Sequence, residues 1–422
     1  MVAPRAPKAR SPLLPIFLIV LVDIFGLTLV IPLQGPYSER FGASAFQASL
    51  LVSVYAACQL FSGPLLGRAS DRTGRKPMLL LSQAGTFLGF LVMASATSLW
   101  MLFLARTIDG LTAGNLSLAQ AYISDKTDPK NRAKSFALIG IAFGLGFFFG
   151  PFVSGYLAKH VSYTAPIWLA AGMSALSILC TATLLPGGKP VPSQDATTDT
   201  PGTATEGPGG QRLSLFEFGA YVKYFRQPVL RGLLVQFLAF TLCFSMFTSG
   251  FALFAERAFR WRGIPFGPGE VGYVFAYAGF LGILLQGGLI GRLVKRFGEP
   301  SLVVSAFVTI AIGYGMLGFV HTIPLLLLAA TFSSYGTGVV RPVLTSLITQ
   351  HADRRSQGVV LGLTQSLQSL SAIVMPALGG FLIEKGWLSA WGTTAALAAL
   401  GGVLAGRFGS SLVRRHAVPE AA

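Results

Sequence analysis

The sequence predicts an all-α membrane protein: twelve transmembrane helices in two pseudo-symmetric six-helix bundles. Three observations carry this. Of 422 residues, 52% are hydrophobic and only 11% charged, with a mean hydropathy of +0.63; a soluble domain carries about 25% charged residues. Apolar runs long enough for a helix to cross a hydrocarbon core of ~30 Å recur along the whole chain. A charged, glycine-bearing link between two such runs returns at an offset of about 224 residues, the mark of an internal repeat.

The runs fall in order. The first six cover residues 13–33, 46–66, 78–96, 99–124, 135–158 and 166–185. The second six cover 229–254, 269–290, 301–320, 324–349, 359–383 and 389–408. The N-terminal stretch places Arg5, Lys8 and Arg10 before an apolar segment, as a signal peptide does. No small-residue cleavage site closes it and Asp23 interrupts it, so it reads as a retained first span with a cytoplasmic N-terminus. Between the halves, residues 187–210 are rich in Pro, Gly, Thr and Ser and lack apolar residues to bury, the composition of a flexible linker. Residues 213–225 are amphipathic enough to lie on the inner membrane surface. The expected units are therefore an N-terminal bundle at 1–185, a cytoplasmic linker at 186–228 and a C-terminal bundle at 229–422.

The link after the second run holds Gly67, Asp71, Arg72, Gly74, Arg75 and Lys76 and reads as a tight, charged turn on the cytoplasmic side. Gly74 permits a positive φ there, and Asp71 can pair with a neighbouring guanidinium. Its repeat runs from Gly291 to Pro300, with Lys295 in place of the acid. At nearly the same offset Gly114 corresponds to Gly338, and Pro151 and Gly155 to Pro376 and Gly380.

The formal net charge of +16 does not make this a nucleic-acid binder. Most Lys and Arg lie in the tails and in alternate links, which is the topology signal of cytoplasmic loops. Cys58, Cys180 and Cys243 all sit in apolar runs, an odd and widely spaced set that offers neither a disulfide framework nor a metal site. No phosphate-binding loop, zinc spacing or nucleophile elbow is present. His160, His321, His351 and His416 lie at run ends or in the tail. An enzyme is not expected, nor a cofactor or metal, and the energy for any transport should come from an ion gradient.

Ionisable groups inside apolar runs are where function is expected. Asp23 and Asp109 each lie about 15 Å into a run, near the midplane, and Arg106 shares a helical face with Asp109. Charge without compensation at that depth costs at least ~2.5–3.5 kcal/mol on insertion scales, so these groups should face a cavity or one another. Asp109 has a cation beside it, whereas Asp23 has no partner on its own helix and is the first choice for a carried proton. Arg341 is the remaining intramembrane charge, able to reach toward the cytoplasmic surface or to attract an anionic group. Gln34, Asn115, Gln236, Gln286, Gln365 and Gln368 are neutral polar groups that could orient a ligand, and Phe247, with Phe244 and Phe251, could line an apolar pocket. The fifth run carries Gly146, Gly150, Pro151 and Gly155, small residues that admit close helix packing beside a helix-bending proline.

The charged link matches G-x-x-x-D-R-x-G-R-K, the signature loop of the major facilitator superfamily, which the chain resembles. Residues 146–155 resemble that superfamily's antiporter motif, G-x-x-x-G-P-x-x-G-G, with Ser154 in place of one glycine. The segment from Arg106 to Asn115, residues 121–125 and 251–254, and Glu256 and Trp261 look like the tetracycline/proton and multidrug antiporter branch. The resemblance implies the major facilitator fold, with the helix-1 carboxylate and helix-4 arginine, here Asp23 and Arg106, in proton coupling and substrate recognition. Tetracycline exporters carry further carboxylates in helices 3 and 9; here Gly89 stands in the matching region and 301–320 holds no acid, which argues against tetracycline itself. The function expected is proton-coupled export of small amphipathic compounds by a monomer in the cell membrane, a bacterial inner membrane, with both termini cytoplasmic. The partners are a small-molecule substrate, protons and the lipid bilayer. The alternatives are a proton-coupled importer or uniporter of a metabolite, anionic if Arg341 meets it, and a membrane sensor that transports nothing.

Overall fold

The computed structural model describes residues 13–126, 132–186, 224–352 and 357–416; the expected linker and its amphipathic segment lie outside the described residues, except for their ends. The first set of helices is α1 (Leu13–Val30), α2 (Gln34–Glu39), α3 (Ala45–Thr73), α4 (Arg75–Ala94), α5 (Leu99–Leu111), α6 (Asn115–Lys126), α7 (Arg132–His160) and α8 (Ala165–Leu184). The second set is α9 (Pro228–Ala258), α10 (Pro268–Leu284), α11 (Ile290–Phe297), α12 (Glu299–Leu317), α13 (Ile323–His351), α14 (Gln357–Glu384) and α15 (Leu388–His416). Among the described residues the only strands form a short hairpin, β1 (Arg260–Trp261) with β2 (Ile264–Pro265); Arg262 and Gly263 turn it with φ of 53° and 82°, both positive as a primed hairpin turn requires.

Among the described residues ten helices are long and apolar enough to cross a membrane. The first expected span, 13–33, is shorter: its apolar helix ends at Val30 and the chain turns into α2. The eighth passes from α10 to α11 through a π-helical turn, Leu285–Leu289. The fourth, expected as one helix over 99–124, is instead broken between α5 and α6. At the break the Ser82 hydroxyl of α4 donates to the Thr112 carbonyl and accepts the Gly114 N–H. A neighbouring side chain thus satisfies backbone groups that an interrupted helix leaves open inside a membrane. Gly85 of α4 gives Thr112 the room to sit there.

The charged link is tighter than the sequence suggested. α3 continues through Arg72 to Thr73, and Gly74 alone, at φ +99° and ψ 155°, joins it to α4. Its repeat is built alike: Gly298, at φ +77° and ψ 153°, joins α11 to α12. The same correspondence holds at the seams between the two sets. A Cβ on Gly155 of α7 would meet the Pro268 carbonyl of α10 at 2.7 Å, and one on Gly380 of α14 would meet the Ala45 carbonyl of α3 at 2.7 Å.

The cores of the two sets differ. The second set packs around one apolar cluster that runs from Leu230 to Val403 and includes Phe251, Tyr314 and Trp391. The first set has two. One gathers Ile16, Val20, Ile24, Leu79, Leu118 and Leu185; the other gathers Leu29, Phe90, Met93, Leu102 and Ala170. On α4 and the α5–α6 pair a polar stretch separates the residues of one cluster from those of the other, on α8 Ser174 and Ser177 stand between them, and on α1 the clusters meet at Ile24 and Phe25.

Candidate functional site

That polar layer holds the mid-span groups. On α1, Asp23 lies at the edge of the first cluster, one residue before Ile24, and turns toward the polar groups of α4 and α8. Gln83 of α4, fully buried, has its Nε2 3.5 Å from Asp23 Oδ2 and 2.7 Å from Ser177 Oγ of α8, and Ser177 also hydrogen-bonds Asp23. The carboxyl is thus held by neutral donors from two other helices. Arg106 and Asp109 of α5 instead face each other: Nη1 lies 3.2 Å from Oδ2, with both side chains almost fully buried. Thr86 of α4 hydrogen-bonds Asp109. Arg106 reaches Met93 Sδ at 3.8 Å and stands 5.9 Å over the Tyr55 ring, while its Nε has no partner among the described residues. Gly89 allows this approach, since a Cβ there would stand 2.9 Å from Asp109 Cβ.

α7 joins this layer to the second set. On one side Gly146 leaves room for Ile24, Gly150 for Thr28, and Ser154 donates to the Leu29 carbonyl. Thr28 Oγ1 lies 2.9 Å from the Gly146 carbonyl. The serine that replaces a motif glycine therefore adds a hydrogen bond to α1 without opening the seam. On the other side, Pro151 and Gly155 meet α10, whose Gly272 and Gly279 face α7 backbone. The motif glycines thus seat two helices on α7: α1, which carries Asp23, and α10 of the other set.

At the ends of the helices farthest from the termini, polar contacts cross between the sets. Arg257 pairs with Glu39, Lys159 Nζ lies 2.7 Å from Glu270 Oε1, and the Phe46 N–H donates to Glu384 at 3.0 Å. Deeper, Ser53 donates to the Ile373 carbonyl at 2.7 Å.

The neutral candidates scatter. Gln236 is buried and donates to the Gly402 carbonyl at 3.2 Å, joining α9 to α15. Gln34 is buried at the start of α2, with Nε2 unpartnered, and Asn115 opens α6 at the helix break with Oδ1 unpartnered among the described residues. Phe247 belongs to an aromatic group: it stacks on Tyr314 at 4.9 Å and meets Phe251 and Phe275 at 4.9 and 5.9 Å. Gln286 is exposed in the π-helical turn, Gln365 is exposed and Gln368 half-buried on α14. Arg341 is half-buried on α13, its guanidinium carbon 5.4 Å above the Phe143 ring of α7.

The Major Facilitator Superfamily profile matches residues 16–298 and 265–420. The chain belongs to this superfamily. It is 29% identical over 384 residues to the class B tetracycline resistance protein of Escherichia coli, covering 88% of this chain and 89% of that one. It is 28% identical to major facilitator superfamily domain-containing protein 10 of Bos taurus, covering 89% and 87%. Among solved structures, the human organic anion transporter MFSD10 superposes with a TM-score of 0.71 at 23% identity, over 95% of this chain and all of that one. A peptide transporter bound to sulfate superposes at 0.73 and 17% identity, over 96% and 94%. The chain is therefore a multi-pass membrane transporter of the major facilitator fold, not an enzyme.

Sequence reasoning passed over Gln83, Thr86 and Ser177. Gln83 stood in an apolar run like the other glutamines, and its amide could have been counted with them; only its burial beside Asp23 singles it out. The signature-loop residues of the transporter act within the first set. Arg75 binds Asp71, Ser70 at 2.6 Å and, through Nε, Asp125 at the end of α6 at 2.8 Å. Lys76 Nζ caps the last carbonyls of α8, at 2.7 Å from Ala182 and 2.8 Å from Leu185. Gly67 accepts from Ser70 at 2.6 Å, and Arg72 is exposed. A cluster that ties α3, α4, α6 and α8 together far from the polar layer should set the population of states, not ligand affinity. Asp71→Asn should therefore slow substrate exchange several-fold while equilibrium binding of a transported compound stays near wild type. Weakened binding with normal turnover would contradict this role.

Proposed function

We propose that this transporter is a proton-coupled exporter of small amphipathic compounds, working by alternating access between two halves, 1–185 and 229–422. The observation that carries the reading is the asymmetry of the two cores: among the described residues, the first set has two apolar clusters with buried ionisable and polar groups between them, whereas the second has one. Within the first set, one carboxyl is neutralised by a cation and the other is not. Asp109 is compensated by Arg106. Among the described residues Asp23 has neutral partners only, so its ionised form bears the full cost of charge at that depth, and proton uptake and release there change what the site tolerates. Kinship with tetracycline resistance proteins supports efflux as the direction. A group that alternates charge, on a helix seated on α7, can bias the packing of α7 against α10, where the halves meet.

The test is made in proteoliposomes carrying a pH-sensitive dye and a panel of aromatic amphiphiles, tetracycline included. Adding a transported compound should drive a proton flux opposite to the compound. Transport of every accepted compound without proton movement would establish a uniporter instead.

The Lys and Arg distribution supports a topology with the termini and the linker on the cytoplasmic side, and kinship with bacterial tetracycline resistance proteins supports a bacterial inner membrane. With the native cysteines replaced, Val161→Cys, at the exposed far end, should react with an impermeant thiol reagent in intact cells. Phe297→Cys, exposed at the opposite end, should react only after lysis. The reverse pattern would invert the topology.

A further inference from the structure

Arg341 is a cation within the membrane for which the described residues supply no acid and no hydrogen bond. Its only described side-chain partner is the Phe143 ring, on the other half. The carboxylate that does meet α13, Glu299, takes hydrogen bonds from Ser346 at 3.0 Å and Gln350 at 3.2 Å instead. At 1.5 Å per residue Arg341 sits about 15 Å from the end of α13 at His351, and Phe143 about 16 Å from the start of α7 at Arg132. Those two helix ends lie on the same side, so the pair is at one depth, well inside the hydrocarbon span. Gly146, one turn further along α7, is where Ile24 packs, next to Asp23. On α13, Gly338 lies one turn before Arg341 and receives Leu285 from the π-helical turn, a geometry that recurs at functional sites; the next residue of that turn, Gln286, is exposed.

An unpaired guanidinium at this depth is costly, by at least ~2.5–3.5 kcal/mol on insertion scales, and Phe143 offsets only part of that, about 0.5–2 kcal/mol. We infer that Arg341 is the charge-recognition residue of the substrate site and that it takes an organic anion: a carboxylate or sulfonate on an aromatic or apolar body. Phe143 is a positioning residue. It holds the guanidinium plane from one face and leaves the donor edge, with its fork geometry suited to a carboxylate, free for the ligand. Because Arg341 and Phe143 belong to different halves, an anion bound there touches the contact that joins them, one turn from the helix that carries Asp23. The inference rests on the exporter reading only for the place of the site.

Equilibrium binding of 2-naphthoate and of its neutral amide, 2-naphthamide, to purified protein in nanodiscs tests it without any gradient. The wild-type transporter should prefer the carboxylate. Arg341→Gln should weaken naphthoate at least about tenfold and leave naphthamide unchanged, and Arg341→Lys should fall between, keeping the charge but losing the planar fork. Phe143→Leu should reduce the preference by roughly threefold, with Phe143→Trp restoring it. Absence of a carboxylate preference in the wild type, through equal binding or none, overturns the inference, as does an unchanged preference in Arg341→Gln. The same purified proteins, reconstituted in proteoliposomes, are assayed for substrate-driven proton flux. Lost anion preference with intact flux sinks this inference alone; intact preference without flux sinks the proton-coupled reading alone.

Discussion

Asp23→Asn is expected to abolish substrate accumulation driven by a pH difference while leaving substrate exchange at equal pH intact. The amide is isosteric with the carboxyl and can still take part in hydrogen bonds with Gln83 and Ser177, so the polar layer keeps its shape. What it loses is the ability to change charge. Asp109→Asn is chemically the same replacement with the opposite expected outcome. Its partner Arg106 lies 3.2 Å away in a buried pair, and removing one member of such a pair leaves an uncompensated charge, typically at a cost of 3–5 kcal/mol. Asp109→Asn should therefore lower the thermal unfolding temperature and the yield of folded protein, which Asp23→Asn should not. Accumulation by the Asp23→Asn protein against a gradient, with only a pH difference supplied, would move the proton to another group. If Asp109→Asn then lost coupling without loss of stability, the proton would belong to the α5 pair.

Some causes of this fold act at a single position in the sequence, and others act between helices. Gly74 and Gly298 could be read as turn residues because a positive φ is a demand made at one position, and the offset between them exposed the repeat. Asp23, Arg106 and Asp109 stood out because charge inside an apolar run is rare. The break between α5 and α6 was not legible: the group that satisfies its open backbone, Ser82, lies on another helix, and residues 99–124 alone satisfy the pattern of one span. Glu39 and Arg257, 218 positions apart, each look like an ordinary charge at a helix end. The neutral residues divide similarly. Gln83 and Gln236 are both glutamines in apolar runs, yet one serves Asp23 and the other the Gly402 carbonyl. Which face of a helix turns inward is decided by neighbours distant in sequence.

The seam between α7 and α10 carries the remaining large effect. A Cβ on Gly272 would stand 2.5 Å from the Pro151 carbonyl oxygen and 3.1 Å from Gly155 Cα. These are backbone atoms, and no rotamer change can clear them, so a larger side chain must push α7 away from α10. Gly282, on the same helix, has nothing within 4 Å of the position its Cβ would take. Replacing glycine in a helix interior with leucine gains about 0.8–1 kcal/mol of helix propensity in either place. The two substitutions therefore differ only in what they meet. Gly282→Leu should be neutral or stabilising and transport normally. Gly272→Leu should lose about 1–3 kcal/mol of stability through overpacking and should slow transport more than Gly282→Leu does, because α7 links α1, with Asp23, to the second half. Thermal unfolding and substrate exchange measured on both proteins decide it. Equal behaviour of the pair would mean that the halves do not bear on one another through this seam, and that the glycines of residues 146–155 serve only the packing of α7 on α1.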